Sequence, residues 1–196
     1  MNQSERLLFL KKTAEESASL RQAMIEQLGP GILDLADLMS GIIGSGGKIM
    51  VIGNGGLATE ASRFASELVV RLRTERDRQA LPAVSLCVDP AVMTATANDF
   101  GYEHVFARQV EGLGRKGDLL LVLSTSGNSA NLIQAVRTAR DRGLISCALL
   151  GGSGGQLAKM LDRCLIIPHP LPQRVQEEQV FIIHLLVEMI EGVLFS

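Results

Sequence analysis

Five short apolar runs, spaced by stretches of helical pattern, constrain this chain more than any other feature. They are KIMVIGN (48–54), PAVSLCV (82–88), DLLLVLS (118–124), ISCALLG (145–151) and RCLIIP (163–168). Helical spacing lies between them at 57–73, about 102–113, 129–141 and, briefly, 156–161. Strands alternating with helices predict a parallel sheet covered on both faces. Burial on both faces also explains why the runs are apolar throughout and do not alternate.

The flanks are helical. Residues 4–28 and 31–44 carry helical spacing, and Gly29-Pro30 reads as the break between two helices. The segment from 173 to 195 contains VFIIHLLVEMIEGVLF and reads as a helix apolar around nearly its whole circumference. Such a helix needs cover on most sides, which a single domain of 196 residues supplies only in part. A helical interface in a homo-oligomer is the simplest expectation. The chain is read as one domain: an N-terminal helical extension (1–45), an α/β core (46–170) and a C-terminal helix (171–196).

Composition removes several function classes. A net charge of −2 and 20% charged residues give no basic stripe for nucleic acid. Aromatic residues are 4% of the chain, with one tyrosine, Tyr102, and no tryptophan, so no base-stacking platform is expected. No window reaches the ~18 unbroken apolar residues of a membrane span. The start, MNQSERLLFLKK, lacks the apolar core of a signal peptide. Three cysteines, Cys87, Cys147 and Cys164, lie in or beside strand-like runs without metal spacing, which suits reduced thiols and a cytoplasmic protein.

Three strand ends are rich in glycine or hydroxyls: GNGGLA (53–58), STSGNS (124–129) and GGSGG (151–155). In open parallel sheets ligands bind beyond the carboxyl ends of the strands. A helix N-terminus following such a loop favours an anion. Ser124, Thr125, Ser126 and Ser129 could add hydroxyl donors there, and Gly127 would let the backbone approach closely. The competing reading is a serine-rich turn with Ser129 as an N-cap. The Walker pattern is absent, which disfavours nucleoside triphosphates. GNGGLA fits G-x-G-x-x-A, but the acidic residue expected ~20 positions on is missing, since Asp89 comes later. A small phosphomonoester is the favoured ligand.

GNGG (53–56), ANDFGY (97–102), STSGNS (124–129) and RVQEEQVFIIH (174–184) together resemble the sugar-isomerase (SIS) domain family, most closely its phosphoheptose isomerases. Those enzymes interconvert sedoheptulose 7-phosphate and a heptose phosphate. The resemblance implies a three-layer α/β/α fold with a five-stranded, flavodoxin- or Rossmann-like parallel sheet. It also implies a homotetramer with active sites built between subunits. By motif it implies that Asn54, Gly55 and Gly56 form a substrate loop, that Asn98 and Asp99 contact the sugar, and that Ser124, Thr125, Ser126 and Ser129 hold phosphate. Glu67, Gln176 and His184 match the family's glutamate, glutamine and histidine.

Three positions depart from the family pattern. Leu57 replaces a serine, Gln173 an aspartate, and Arg63 a zinc-ligand histidine. Aldose–ketose interconversion needs a base and an acid, and Glu67 and His184 can fill those roles if they meet across a subunit boundary. For each residue alone a bland reading exists: Glu67 paired with Arg63 one helical turn away, His184 as a core histidine. Zinc is implied by the resemblance but disfavoured by Arg63, so no cofactor is expected, and Arg63 is placed in the site as the cation. The alternative function is a non-catalytic scaffold of the kind that associates with a replication initiator. A dinucleotide-binding oxidoreductase comes third.

Overall fold

The computed structural model describes residues 1–195. Five parallel strands form one sheet: β1 (Ile49–Gly53), β2 (Ala83–Ser85), β3 (Leu119–Ser124), β4 (Ile145–Gly151) and β5 (Arg163–Ile167). Their order is β2-β1-β3-β4-β5, the flavodoxin-like arrangement, with its switch point between β1 and β3. Gly53 pairs in register with Leu123, so the loops that leave β1 and β3 start side by side.

Six helices cover the sheet: α1 (Gln3–Gly44), α2 (Gly56–Val69), α3 (Pro90–Phe100), α4 (Ala107–Leu113), α5 (Ala130–Asp141) and α6 (Pro172–Leu194). Alternate strand residues separate the two cores. Ile49, Val51, Leu119, Leu121 and Leu123 pack against α1, α2 and α6. Met50, Ile52, Leu120 and Val122 pack against α4, α5 and the turns around Leu86 and Leu157. The central strands β1, β3 and β4 therefore bury both faces, which is why their sequences do not alternate, while the edge strands β2 and β5 are only partly covered.

The structure corrects the sequence reading at three elements. The two N-terminal helices are one, with Pro30 inside it. Proline removes an N–H and crowds the preceding turn, costing about 3 kcal/mol. Burial of Met24, Ile32, Leu35 and Met39 on the following and preceding turns offsets that cost. Gly31 lets the helix pack closely on β5, where a Cβ would sit 2.8 Å from the tip of the Leu165 side chain and push it aside. Helix α3 was not expected; its signal was Asp89, whose carboxylate caps the N–H groups of Ala91 and Val92, followed by Pro90 in the first turn.

The third correction concerns α6, which is not apolar around its circumference. Alongside Val175, Ile182, Leu186 and Ile190 it buries Glu178, Gln179 and Glu191. Glu178 is bound by both nitrogens of a two-pronged Arg21 contact at 3.0 Å. No helix among the described residues is long and apolar enough to cross a membrane.

Candidate active site

Two strand ends build the first cluster of candidate residues. After β1 the chain turns at Gly55, whose φ of 58° favours glycine, and α2 begins at Gly56. Gly53 admits no side chain, since a Cβ would lie 2.6 Å from the Leu57 carbonyl. Asn54 and Asn131 exchange a reciprocal amide pair at 2.9 and 2.8 Å, joining this loop to the start of α5. Tyr102 also reaches the Asn54 oxygen, at 3.5 Å.

After β3, residues 124–129 form a tight loop opening onto the N-terminus of α5. Buried Ser124 accepts from the Gly127 N–H at 3.0 Å, and Ser126 accepts from Asn128 N–H at 3.3 Å. Ser129 occupies the N-cap position but makes no side-chain cap bond, leaving its hydroxyl available. The glycine loop after β4 stands behind this one. Gly127, at φ 64°, would place a Cβ 1.9 Å from the Gly154 carbonyl. Gln156 N–H donates to Asn128 Oδ1 and Leu157 N–H to the Gly127 carbonyl, both at 3.0 Å. The glycine-rich GGSGG segment at the end of β4 is thus the buttress of the hydroxyl loop.

A second cluster of candidate residues lies in the seam where α2 packs along α6. Glu67 Oε1 approaches His184 Nε2 at 3.4 Å within one chain, so this pair needs no subunit boundary to form. The second Glu67 oxygen is buried without a hydrogen bond. Burial raises the Glu67 pKa above its ordinary value, against the opposing charges of His184 and Arg63 and with a smaller push from Glu60. Arg63 does not pair with Glu67; its Nε lies 3.0 Å from Glu60 Oε2. At the Gly56 end of the seam is a cavity of about 300 Å³ lined by Leu57, Glu60, Gln173 and Gln176.

Asn98 and Asp99 end α3, exposed, with their hydrogen bond to each other at 2.8 Å. Within the chain that bond ties them neither to the two loops nor to the seam. Asn54, Gly55, Gly56, Ser124, Thr125, Ser126 and Ser129 are gathered at the switch point, while Glu67, Arg63, Gln176 and His184 are gathered along α2 and α6. Two buried polar residues escaped the sequence reading. Asn131 ties the loops together, and Gln179 donates to the Leu149 carbonyl at 2.7 Å and the Ser124 carbonyl at 3.4 Å, fixing α6 beneath the hydroxyl loop. The only signal for Gln179 was an amide inside an apolar helix.

Within one chain the seam supplies only part of the ligand set that a zinc ion takes. A zinc site takes four ligands with lone pairs, or three and a water. Glu67 and His184 supply two, and the Arg63 guanidinium stays protonated and supplies none. Gln176 and His184 lie on one continuous helix eight residues apart, ~12 Å along its axis. Among the described residues no cluster of three or more His, Cys, Asp or Glu side chains is arranged to hold a metal.

Comparison with known proteins gives consistent results. The SIS domain family matches residues 14–151. A phosphoheptose isomerase of Pelodictyon phaeoclathratiforme is 45% identical over 179 residues, covering 91% of this chain and 85% of that protein. The solved phosphoheptose isomerase of Neisseria gonorrhoeae superposes with a TM-score of 0.89 at 38% identity, covering 97% of this chain and all of that one. That of Francisella tularensis gives 0.91 at 36% identity, covering 95% and 98%.

Proposed function

The chain belongs to the SIS domain family, and from that premise we propose that it is an aldose–ketose isomerase converting sedoheptulose 7-phosphate to D-glycero-D-manno-heptose 7-phosphate. The observation that carries this reading is the Glu67–His184 pair at 3.4 Å, a carboxylate and an imidazole side by side with one carboxylate oxygen unengaged. The named relatives, phosphoheptose isomerases over most of their length, support the catalytic reading over the scaffold reading.

In this reading the loop 124–129 and the N-terminus of α5 hold the phosphate. Backbone N–H groups there face an anion, and the free Ser129 hydroxyl adds a donor. Glu67 takes a proton from carbon 1 of the ketose while protonated His184 gives one to the carbonyl oxygen at carbon 2, forming the enediol. Glu67 then returns a proton to carbon 2, and His184 recovers one from the oxygen on carbon 1. Atoms balance, and no redox partner is needed. Burial that raises the Glu67 pKa also makes its carboxylate a stronger base. Gln176, Asn98 and Asp99 are proposed to contact the sugar hydroxyls. The latter two need a closing movement or a neighbouring subunit to do so.

Arg63 is proposed as the fixed positive charge of the site, with no zinc. It acts on the Glu67 carboxylate and on developing oxyanion charge at a distance, since its direct partner is Glu60. A homotetramer is also proposed. Leu7, Leu8, Phe9 and Leu10 on α1 are more than half exposed, and Phe181 and Leu185 on α6 are only half covered. Three free cysteines support a reducing, cytoplasmic setting.

Purified protein incubated with sedoheptulose 7-phosphate should accumulate the aldose phosphate, and a chelator should leave the rate unchanged. Protein inert toward every heptose and hexose phosphate contradicts the isomerase reading. One zinc per chain after exhaustive dialysis, with activity lost on its removal, contradicts the metal-free site alone.

A further inference from the structure

Arg78 lies in the stretch that joins α2 to β2, where its neighbours Asp77 and Gln79 are exposed, yet its own side chain is fully buried. Four donor contacts account for it. Nε donates to Glu191 Oε1 at 2.7 Å, Nη1 to the carbonyls of Leu68 at 2.8 Å and Gln79 at 2.9 Å, and Nη2 to the carbonyl of Glu67 at 2.8 Å. The Glu67 and Leu68 carbonyls fall in the last turn of α2, where no intrahelical N–H reaches them. That turn has no basic residue of its own, so Arg78 brings positive charge to the negative end of the helix from outside it. Glu191, its buried partner, stands seven residues beyond His184 on α6, about two helical turns along the same face.

One guanidinium therefore grips the main chain of Glu67 and, through Glu191, the helix that carries His184. We propose that Arg78 is a positioning residue for the isomerase: with Glu191 it locks α2 against α6 and so sets the separation of Glu67 and His184. It touches neither the sugar nor the reacting atoms. The inference rests on the isomerase reading and deepens it. A tie serving stability alone has no need of charge, because well-packed apolar residues replace buried ion pairs at no loss and often with gain. A planar fork of five donors supplies what apolar packing does not, a fixed direction between two helices.

Arg78→Lys tests this, because it keeps the charge and loses the fork. Asp118→Asn is the control: it breaks another ion pair, with part-buried Lys48 where β1 and β3 begin, and Asp118 bonds neither to Glu67 nor to His184. Turnover of sedoheptulose 7-phosphate would be measured per folded molecule, together with the His184 imidazole resonance, assigned by its loss in His184→Gln. Arg78→Lys should lower kcat about tenfold or more with KM held within about twofold, since small misplacement of a catalytic pair acts on the chemical step. The His184 resonance should move while those of His104 and His169 stay. Asp118→Asn should lower Tm and leave kcat and the resonance alone. Glu191→Gln, which keeps an acceptor for Nε, should show the same split in milder form and serves if Arg78→Lys does not fold. Unchanged kcat, an equal loss in Asp118→Asn, or a stationary His184 resonance overturns the proposal. The resonance needs no turnover, so an inactive wild-type protein would remove the isomerase reading and leave the clamp to be judged by that signal.

Discussion

The hydroxyl loop at 124–129 and the α2–α6 seam are built by opposite means. The loop is a backbone object: Gly127 and Gly154 touch main chain to main chain, Ser124 and Ser126 accept from the loop's own N–H groups, and Asn128 accepts from Gln156 N–H of the loop behind. The seam is a side-chain object. Glu67 and His184 come from segments 117 residues apart and meet only because two helices pack, and one carboxylate oxygen is left unsatisfied. Recognition of a phosphate needs donors that do not move, whereas proton transfer needs a group held slightly out of its ordinary state. Fixed backbone suits the first task, and a desolvated carboxyl beside an imidazole suits the second.

Breaking the seam should have the largest effect on turnover. Glu67→Gln keeps the shape and removes the proton acceptor, so kcat should fall by about 10²–10⁴-fold. Substrate affinity by calorimetric titration should stay close to wild type. A variant that keeps full turnover removes Glu67 from the chemistry.

Breaking the loop should show the reverse pattern. Gly127→Ala adds a Cβ 1.9 Å from the Gly154 carbonyl at a φ of 64°, so the two loops must separate. Backbone strain of this kind costs about 1–3 kcal/mol before the clash is counted. Sugar-phosphate binding should be lost together with several degrees of Tm, and an unaltered melting curve contradicts the buttress. A milder probe is Ser126→Ala with Ser129→Ala. Each lost hydrogen bond to a charged group is worth about 1.5–3 kcal/mol, so affinity should drop tenfold or more while kcat at saturation changes little. Unchanged affinity excludes the phosphate cradle.

The same contrast decides what the sequence made legible. STSGNS is contiguous and follows an apolar strand, so its place as a strand-to-helix loop could be read from local pattern, and the phosphate proposed for it rests on helix-terminus electrostatics. The central strands β1, β3 and β4 were legible because burial on both faces leaves continuous apolar runs. Glu67 and His184 stood out only through resemblance, because no local rule says which carboxylate a distant imidazole will face. The pairing of Arg63 with Glu60 in place of Glu67 was equally hidden, since the helical offsets of three and four residues are both open to an arginine. Pro30 misled because its local rule was outweighed by packing of Ile32, Leu35 and Met39 in the core. Asn131, Gln179 and Arg78 are buried polar side chains whose distant partners are, respectively, the Asn54 amide, two strand-end carbonyls and the Glu191 carboxylate, and nothing local announces them.

The smallest effect is on stability against pH. The folded-state pKa of Glu67 is raised, chiefly by burial. Above the ordinary glutamate range the unfolded chain has released this proton while the folded chain still holds it. Stability from this group is therefore present below that range and is lost as pH rises through the raised folded value. Glu67→Gln should gain on wild type in Tm as pH rises across that window. A Glu67→Gln variant that loses ground to wild type as pH rises contradicts a carboxyl desolvated in the folded state.

The central claim, that Glu67 and His184 move a proton between adjacent carbons of a bound sugar phosphate, is tested most directly by NMR in deuterated water. Wild-type protein given sedoheptulose 7-phosphate should yield the aldose carrying deuterium at carbon 2, with matching loss of a hydrogen from carbon 1 of the remaining ketose. Ketose recovered with both carbon 1 hydrogens intact and no aldose formed would contradict the account.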